Sequence, residues 1–173
     1  MTSPIAAYLA EDQVRLGALL AQATAVAGRI GEAPFSAFRG GLLRHIGMEE
    51  KLLFPALKRL LGAPHPAVAR LHRDHGAIAS LLVPTPTPLI VSALRAVLEP
   101  HDALEEAVDG GLYAAASRRP AAEAEALLEA MKAVREPPQS PHNDSPAAFR
   151  QIAHTMAAAN IDHPVPTGPA GPG

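Results

Sequence analysis

Along the first 135 positions, apolar residues recur at steps of three and four, the period of an amphipathic helix. Ile5, Tyr8, Leu9, Leu16, Leu19, Leu20, Ala23, Val26 and Ile30 form one such stripe, with Ser3 as cap, Pro4 in the first turn and Gly31 as stop, so a first helix is predicted over 4–30. Phe35, Phe38, Leu42, Ile46, Leu53 and Leu57 predict a second over 34–61 that ends at Gly62, kinked or split where Pro55 falls inside it. A third helix is expected over 66–83. The rigid segment 84–88 (PTPTP) then leads into a fourth, capped by Thr87, interrupted at Pro100 and ended by Gly110–Gly111. A fifth covers 121–135. No stretch alternates with the period of two that a half-buried strand needs. The expected fold is all-α: an up-down four-helix bundle with an extra C-terminal helix and a Pro/Gly-rich tail.

Composition sets the boundary of the tail. Residues 136–173 hold 8 of the 18 prolines and few core residues, so the bundle is assigned to 1–135. One island in the tail, 146–160, reads as a short amphipathic helix with Ser145 as cap, able to dock on the body. The end, 164–173, is expected to be disordered. Charges nearly cancel, 15 basic against 17 acidic side chains, and aromatics are only 3%. That excludes the basic face and the stacking platform of a nucleic-acid binder. No run of about 18 apolar residues is present to span a membrane. The start carries no basic lead and meets Glu11 early, unlike a secretory signal. A cytoplasmic protein is expected. With no cysteine, thiolate metal sites and cysteine nucleophiles are ruled out.

Eight histidines in so short a chain are the unusual feature. His45 precedes Glu49 by four, and His101 precedes Glu105 by four. That spacing stacks an imidazole over a carboxylate on one helix face. The phase of Ile46, Leu53 and Leu57 places His45 and Glu49 inward, and that of Leu94, Val97 and Leu98 does the same for His101 and Glu105. The adjacent Glu50 and Glu106 are expected to face solvent or, failing that, to support the ligands from behind. Between the two pairs, His72, Asp74 and His75 sit on the third helix. Burying imidazole with carboxylate calls for either a local hydrogen-bonded pair or a metal ion. Two such pairs with a histidine-bearing helix between them favour the metal. A nitrogen and oxygen donor set suits iron, manganese or zinc.

At these residues the chain resembles the hemerythrin-like, or HHE cation-binding, family. Its stretches in order are Asp12-Gln13, His45-Ile-Gly-Met-Glu49-Glu50-Lys-Leu-Leu-Phe54-Pro55, Asp74-His75 and His101-Asp-Ala-Leu-Glu105-Glu106. The resemblance spans about 8–130 and implies a four-helix bundle around a non-haem di-iron centre. It further implies that His45 binds one iron, that His75 and His101 bind the other, and that Glu49 and Glu105 bridge them. One position departs: the family's first-helix histidine falls on Gln13, whose neutral amide oxygen is a weaker ligand. One ion or two therefore both remain open, with zinc or manganese as alternatives to iron and His72 as a spare imidazole.

Asp74 is read either as a carboxylate that orients an imidazole or as a surface charge. His65 is expected to be an exposed loop residue, and Tyr113 either to pack at a helix end, the favoured reading, or to sit near the site as a hydrogen-bond donor. The function these readings support is binding or sensing of a small ligand such as O2 or NO at iron, with any protein partner illegible from sequence. The alternatives are a non-haem iron oxidase or peroxidase-like enzyme and a degenerate bundle acting as an interaction scaffold.

Overall fold

A computed structural model describes residues 3–168 of the chain. Among them every regular element is helical: α1 Pro4–Ala23, α2 Glu32–Met48, a single π-turn Glu49–Leu53, α3 Phe54–Leu61, α4 Val68–Leu81, α5 Pro88–Glu106, α6 Leu112–Ala116, α7 Ala121–Lys132 and α8 Pro146–Ala158. No helix of the described residues is long and apolar enough to cross a membrane. The sequence caps act locally. Ser3 Oγ accepts from the Ile5 amide, Thr87 Oγ1 from Ile90 and Ser145 Oγ from Ala148, each followed by a proline whose missing N–H costs nothing in a first turn.

Three boundaries differ from the pattern. The stripe predicted to 30 stops at Ala23. There the Thr24 hydroxyl bonds back to the carbonyls of Leu20 and Ala21, the Gly31 amide closes on the Ala23 carbonyl, and Gly28 takes a left-handed φ of 72°. Val26, expected inside, is exposed. Pro100 does not interrupt α5. It removes one hydrogen bond, yet the turns on either side carry the buried residues Val97, His101 and Glu105, and the helix runs through to Glu106. α5 then ends before Gly110–Gly111, where Ala107 turns extended at ψ 126°. Pro55, by contrast, has a clear consequence. It cannot donate to the Lys51 carbonyl, and the chain opens into the π-turn immediately before it.

α1 packs on α2, with Gly41 at the closest approach: a Cβ there would meet Leu16 Cδ2 at 2.7 Å. α4 packs on α5 and on α8, while α1 also meets α6 and α7. The apolar interior falls into two clusters. One gathers Leu16, Phe38, Leu42, Ile78 and Leu94, the other Ile5, Leu9, Leu53, Leu71 and Leu112. Polar residues fall at the junction on four segments: Asp12 and Gln13 lie between Leu9 and Leu16, His45 between Leu42 and Leu53, Asp74 and His75 between Leu71 and Ile78, and His101 and Glu105 between Leu94 and Leu112. A polar layer thus divides two oily ones.

Residues 136–145 run back over the body. Arg39 Nη1 donates to the Ser140 carbonyl at 2.8 Å, and Asp144 accepts from the amide and the hydroxyl of Thr85, both at 2.7 Å. α8 then buries Ile152 and Met156 in the cluster that contains Ile78. Deleting a fully buried isoleucine to alanine costs about 2–5 kcal/mol. Ile152→Ala is therefore expected to lower the melting temperature by roughly 5–15 °C, at about 2–4 °C per kcal/mol for a chain of this size, with helix content retained in circular dichroism. The segment 164–168 has no regular structure, and the rest of the predicted disordered end, 169–173, lies outside the described residues.

Candidate metal centre

The two i,i+4 pairs point inward from their helices. His45 Nε2 lies 3.4 Å from Glu49 Oε1, and His101 Nε2 lies 3.3 Å from Glu105 Oε1. α4 adds His75, whose Nε2 lies 3.1 Å from Glu49 Oε2. One ligand atom from each of Glu49, His75, His101 and Glu105 falls within 4.8 Å of the other three, and all four residues are buried. His45 flanks this group on the opposite oxygen of Glu49. The His75 and His101 rings are 4.9 Å apart, and Phe54 stacks on His75.

The outward-facing ring nitrogens of His45 and His75 are hydrogen-bonded to carboxylates, and that of His101 has one nearby. Asp12 Oδ2 accepts from His45 Nδ1 at 2.9 Å, and its other oxygen accepts from Arg15. Glu50 Oε1 accepts from His75 Nδ1 at 2.7 Å and from His72 Nδ1 at 2.9 Å. Asp74 Oδ2 lies 3.5 Å from His101 Nδ1. A carboxylate on Nδ1 fixes the tautomer and turns the lone pair of Nε2 inward.

Several expectations are corrected here. Glu50 does not simply face solvent: it is 27% exposed and holds two histidines. The physical reason is the π-turn, whose wider circuit brings Glu49 and Glu50 closer to one direction than a regular helix would. Asp74 is fully buried beside His101 rather than a surface charge. His72 is no spare imidazole at the cluster, because its side chain is 71% exposed and bonds only Glu50. His65 is buried, its Nδ1 accepting from the Ala67 amide. Tyr113 is not merely a packing residue, since its buried hydroxyl lies 3.3 Å from Glu49 Oε1 and 3.1 Å from Glu105 Oε2. Gln13 Nε2 donates to Glu105 Oε2 at 2.7 Å and, at 3.4 Å, to Asp102 Oδ1. Glu106 is exposed. The role of Asp12 is not assigned from sequence, and for Tyr113 the less favoured reading, a donor near the site, is the one the geometry fits. The adjacency of Asp12 to Gln13 hinted at the first, whereas nothing in helical spacing joins Tyr113 to Glu49.

Electrostatics follow from this crowding. Burial works against charge on His45, but the charge of Glu49 and the bond to Asp12 outweigh it and hold the imidazole up at about 10. For His101 burial is again opposed, by Asp74 and Glu105, with the result also at about 10. Glu49 runs the other way: burial raises its carboxyl, yet the positive charge of His45 and then of His75 beside it brings it well below the carboxylate range. Glu105 is pushed up to about 7 by burial and then by the charge of Glu49.

The arrangement fits a cation on an observation independent of charge. Glu49 Oε2, His75 Nε2 and Glu105 Oε1 are buried, face the common centre and have no hydrogen-bond partner. Buried polar atoms are seldom left so. Four nitrogen and oxygen donors around one point satisfy them if a divalent ion is held there. A cavity of about 270 Å³ adjoins this region, with Gln13, His45 and Asp102 in its wall and Leu16, Leu20 and Phe38 among its apolar lining.

The oriented imidazoles give a graded prediction. Glu50→Gln, which weakens the carboxylate bonded to His75 Nδ1, is expected to reduce metal affinity about 10–100-fold, the usual cost of losing a ligand's hydrogen-bonded support. His72→Ala should leave it unchanged. Competition with a chromophoric chelator measures both.

Comparison with curated proteins and with solved structures gave no match. A family comparison did: residues 5–83, which carry α1 to α4 and with them Gln13, His45, Glu49 and His75, match the model of the hemerythrin HHE cation-binding domain.

Proposed function

We propose that this protein binds non-haem iron through Glu49, His75, His101 and Glu105, with His45 alongside, and that its activity is the reversible binding of a small ligand such as O2 or NO. In this reading α1, α2 with α3, α4 and α5 are the four members of an up-down bundle, and residues 1–135 hold the whole function. The observation that carries it is the set of partnerless donor atoms of Glu49, His75 and Glu105 facing one buried point. The cation-binding family match over 5–83 supports the same reading. Iron would supply a coordination position for a diatomic ligand. The chain's own groups do the rest. Glu50 and Asp74 aim His75 and His101, while the two apolar layers above and below keep water from the donors. The cavity beside Gln13 and His45 offers room for a small molecule to approach.

The test is ferrous loading under anaerobic conditions, followed by exposure to nitric oxide. Wild type should retain iron through desalting and show an absorption change that reverses on purging, with both absent in His101→Ala. Wild-type iron content no higher than that of His101→Ala would overturn the proposal.

A further inference from the structure

Resting on that reading of the site, we infer that the centre holds a single metal ion, because Gln13 and Tyr113 occupy the side on which a second ion would sit. Each of the two central carboxylates has one oxygen on either side. Glu49 Oε2 and Glu105 Oε1 face His75 and His101. The opposite oxygens, Glu49 Oε1 and Glu105 Oε2, are the ones a second ion needs if the carboxylates are to bridge.

Those oxygens are already engaged by donors. Glu105 Oε2 accepts from Gln13 Nε2 at 2.7 Å and lies 3.1 Å from the Tyr113 hydroxyl, which also lies 3.3 Å from Glu49 Oε1. The orientation of the Gln13 amide follows from its neighbours. The two atoms it touches, Glu105 Oε2 and Asp102 Oδ1, are carboxylate oxygens, so the NH2 end belongs there. An N–H pointed at the bridging oxygen places partial positive charge where a cation would go. The Tyr113 hydroxyl, at 4% exposure, donates toward both outer oxygens, Glu49 Oε1 at 3.3 Å and Glu105 Oε2 at 3.1 Å, and so stands between them where a bridged ion would lie. On this side the imidazole of His45 is the one nitrogen donor, and Asp12, behind it, is tied to His45 and Arg15. A second ion would have to expel both donors, and the one imidazole it would gain is His45, with Asp102 reachable only once the Gln13 amide is turned away.

The arrangement also fixes the surviving site. With Glu105 Oε2 held by Gln13 and Tyr113, and Glu49 Oε1 by Tyr113 beside His45, the inward oxygens are presented to one ion as single-oxygen ligands.

The experiment loads the full chain with excess ferrous iron without oxygen, desalts it, and counts iron per chain by elemental analysis. The iron is then oxidised and examined by electron paramagnetic resonance and absorption. The expected result is one iron per chain, the resonance of an isolated high-spin ferric ion, and none of the near-ultraviolet bands of an oxo-bridged pair. The variant carrying both Gln13→His and Tyr113→Phe should rise toward two irons, with helix content checked by circular dichroism. Two irons per wild-type chain with a coupled, resonance-silent ferric pair would overturn the inference and leave the proposed iron site standing. One iron in wild type and still one in a folded double variant would overturn the role given to Gln13 and Tyr113. No retained iron in wild type would overturn the iron reading itself, and the inference with it.

Discussion

In Glu49→Gln the affinity for ferrous iron is expected to fall at least about 100-fold, or about 2.7 kcal/mol. Glu49 lies within reach of two imidazoles and the phenol: His45 and Tyr113 meet one of its oxygens, His75 the other. The amide keeps the shape but removes the charge and turns one oxygen into a donor facing histidine. Loss of a group that merely supports a ligand costs about 10–100-fold, so a donor at the centre should cost more. Glu105→Gln should behave likewise, Glu50→Gln should fall between, since Glu50 acts through His75, and exposed Glu106→Gln should match wild type. Chelator competition ranks the four. Equal losses from Glu49, Glu50 and Glu106 would contradict the assignment of faces.

The second large effect is on stability. A ligand that binds only the folded chain at about 1,000 times its dissociation constant adds about 4 kcal/mol. At about 2–4 °C per kcal/mol, stripping the iron should lower the melting temperature by roughly 8–16 °C, and adding it back should restore the loss. The sign follows from what sits between the two apolar clusters. Without a cation, Glu49 and Glu105 must be balanced by protons on His45 and His101 in a buried layer, and buried charge is tolerated only when well paired. Differential scanning calorimetry before and after chelation reads the shift. An unchanged transition would favour the scaffold alternative, in which the polar layer is only structural.

What the sequence reveals about such a site depends on the range over which residues communicate. Helical phase is local, so the inward placement of His45 with Glu49 and of His101 with Glu105 follows from four-residue spacing and the apolar residues around them. Pro55 likewise announces a break in the second helix, though not that the break is a π-turn that draws Glu50 toward His75. Pro100 looks the same on paper and does nothing comparable, because the buried residues around it keep the helix whole. Contacts between segments are beyond spacing. Asp12 reaches His45 across 33 positions and Tyr113 reaches Glu49 across 64, and neither has a periodic signature. In the tail the capped apolar stretch 146–160 is legible as a docking helix, while the irregular path of 136–145, tied down through Arg39 and Thr85, has no periodic signature.

The central claim is that four side chains from three segments surround one metal ion. Anomalous diffraction at the iron absorption edge, from crystals of the iron-loaded chain, locates that ion without reference to any activity. The account predicts one strong peak among Glu49, His75, His101 and Glu105, at about 2.0–2.2 Å from the nitrogen and oxygen atoms. Iron-loaded crystals with no peak at that point, or with the peak elsewhere in the molecule, would contradict it.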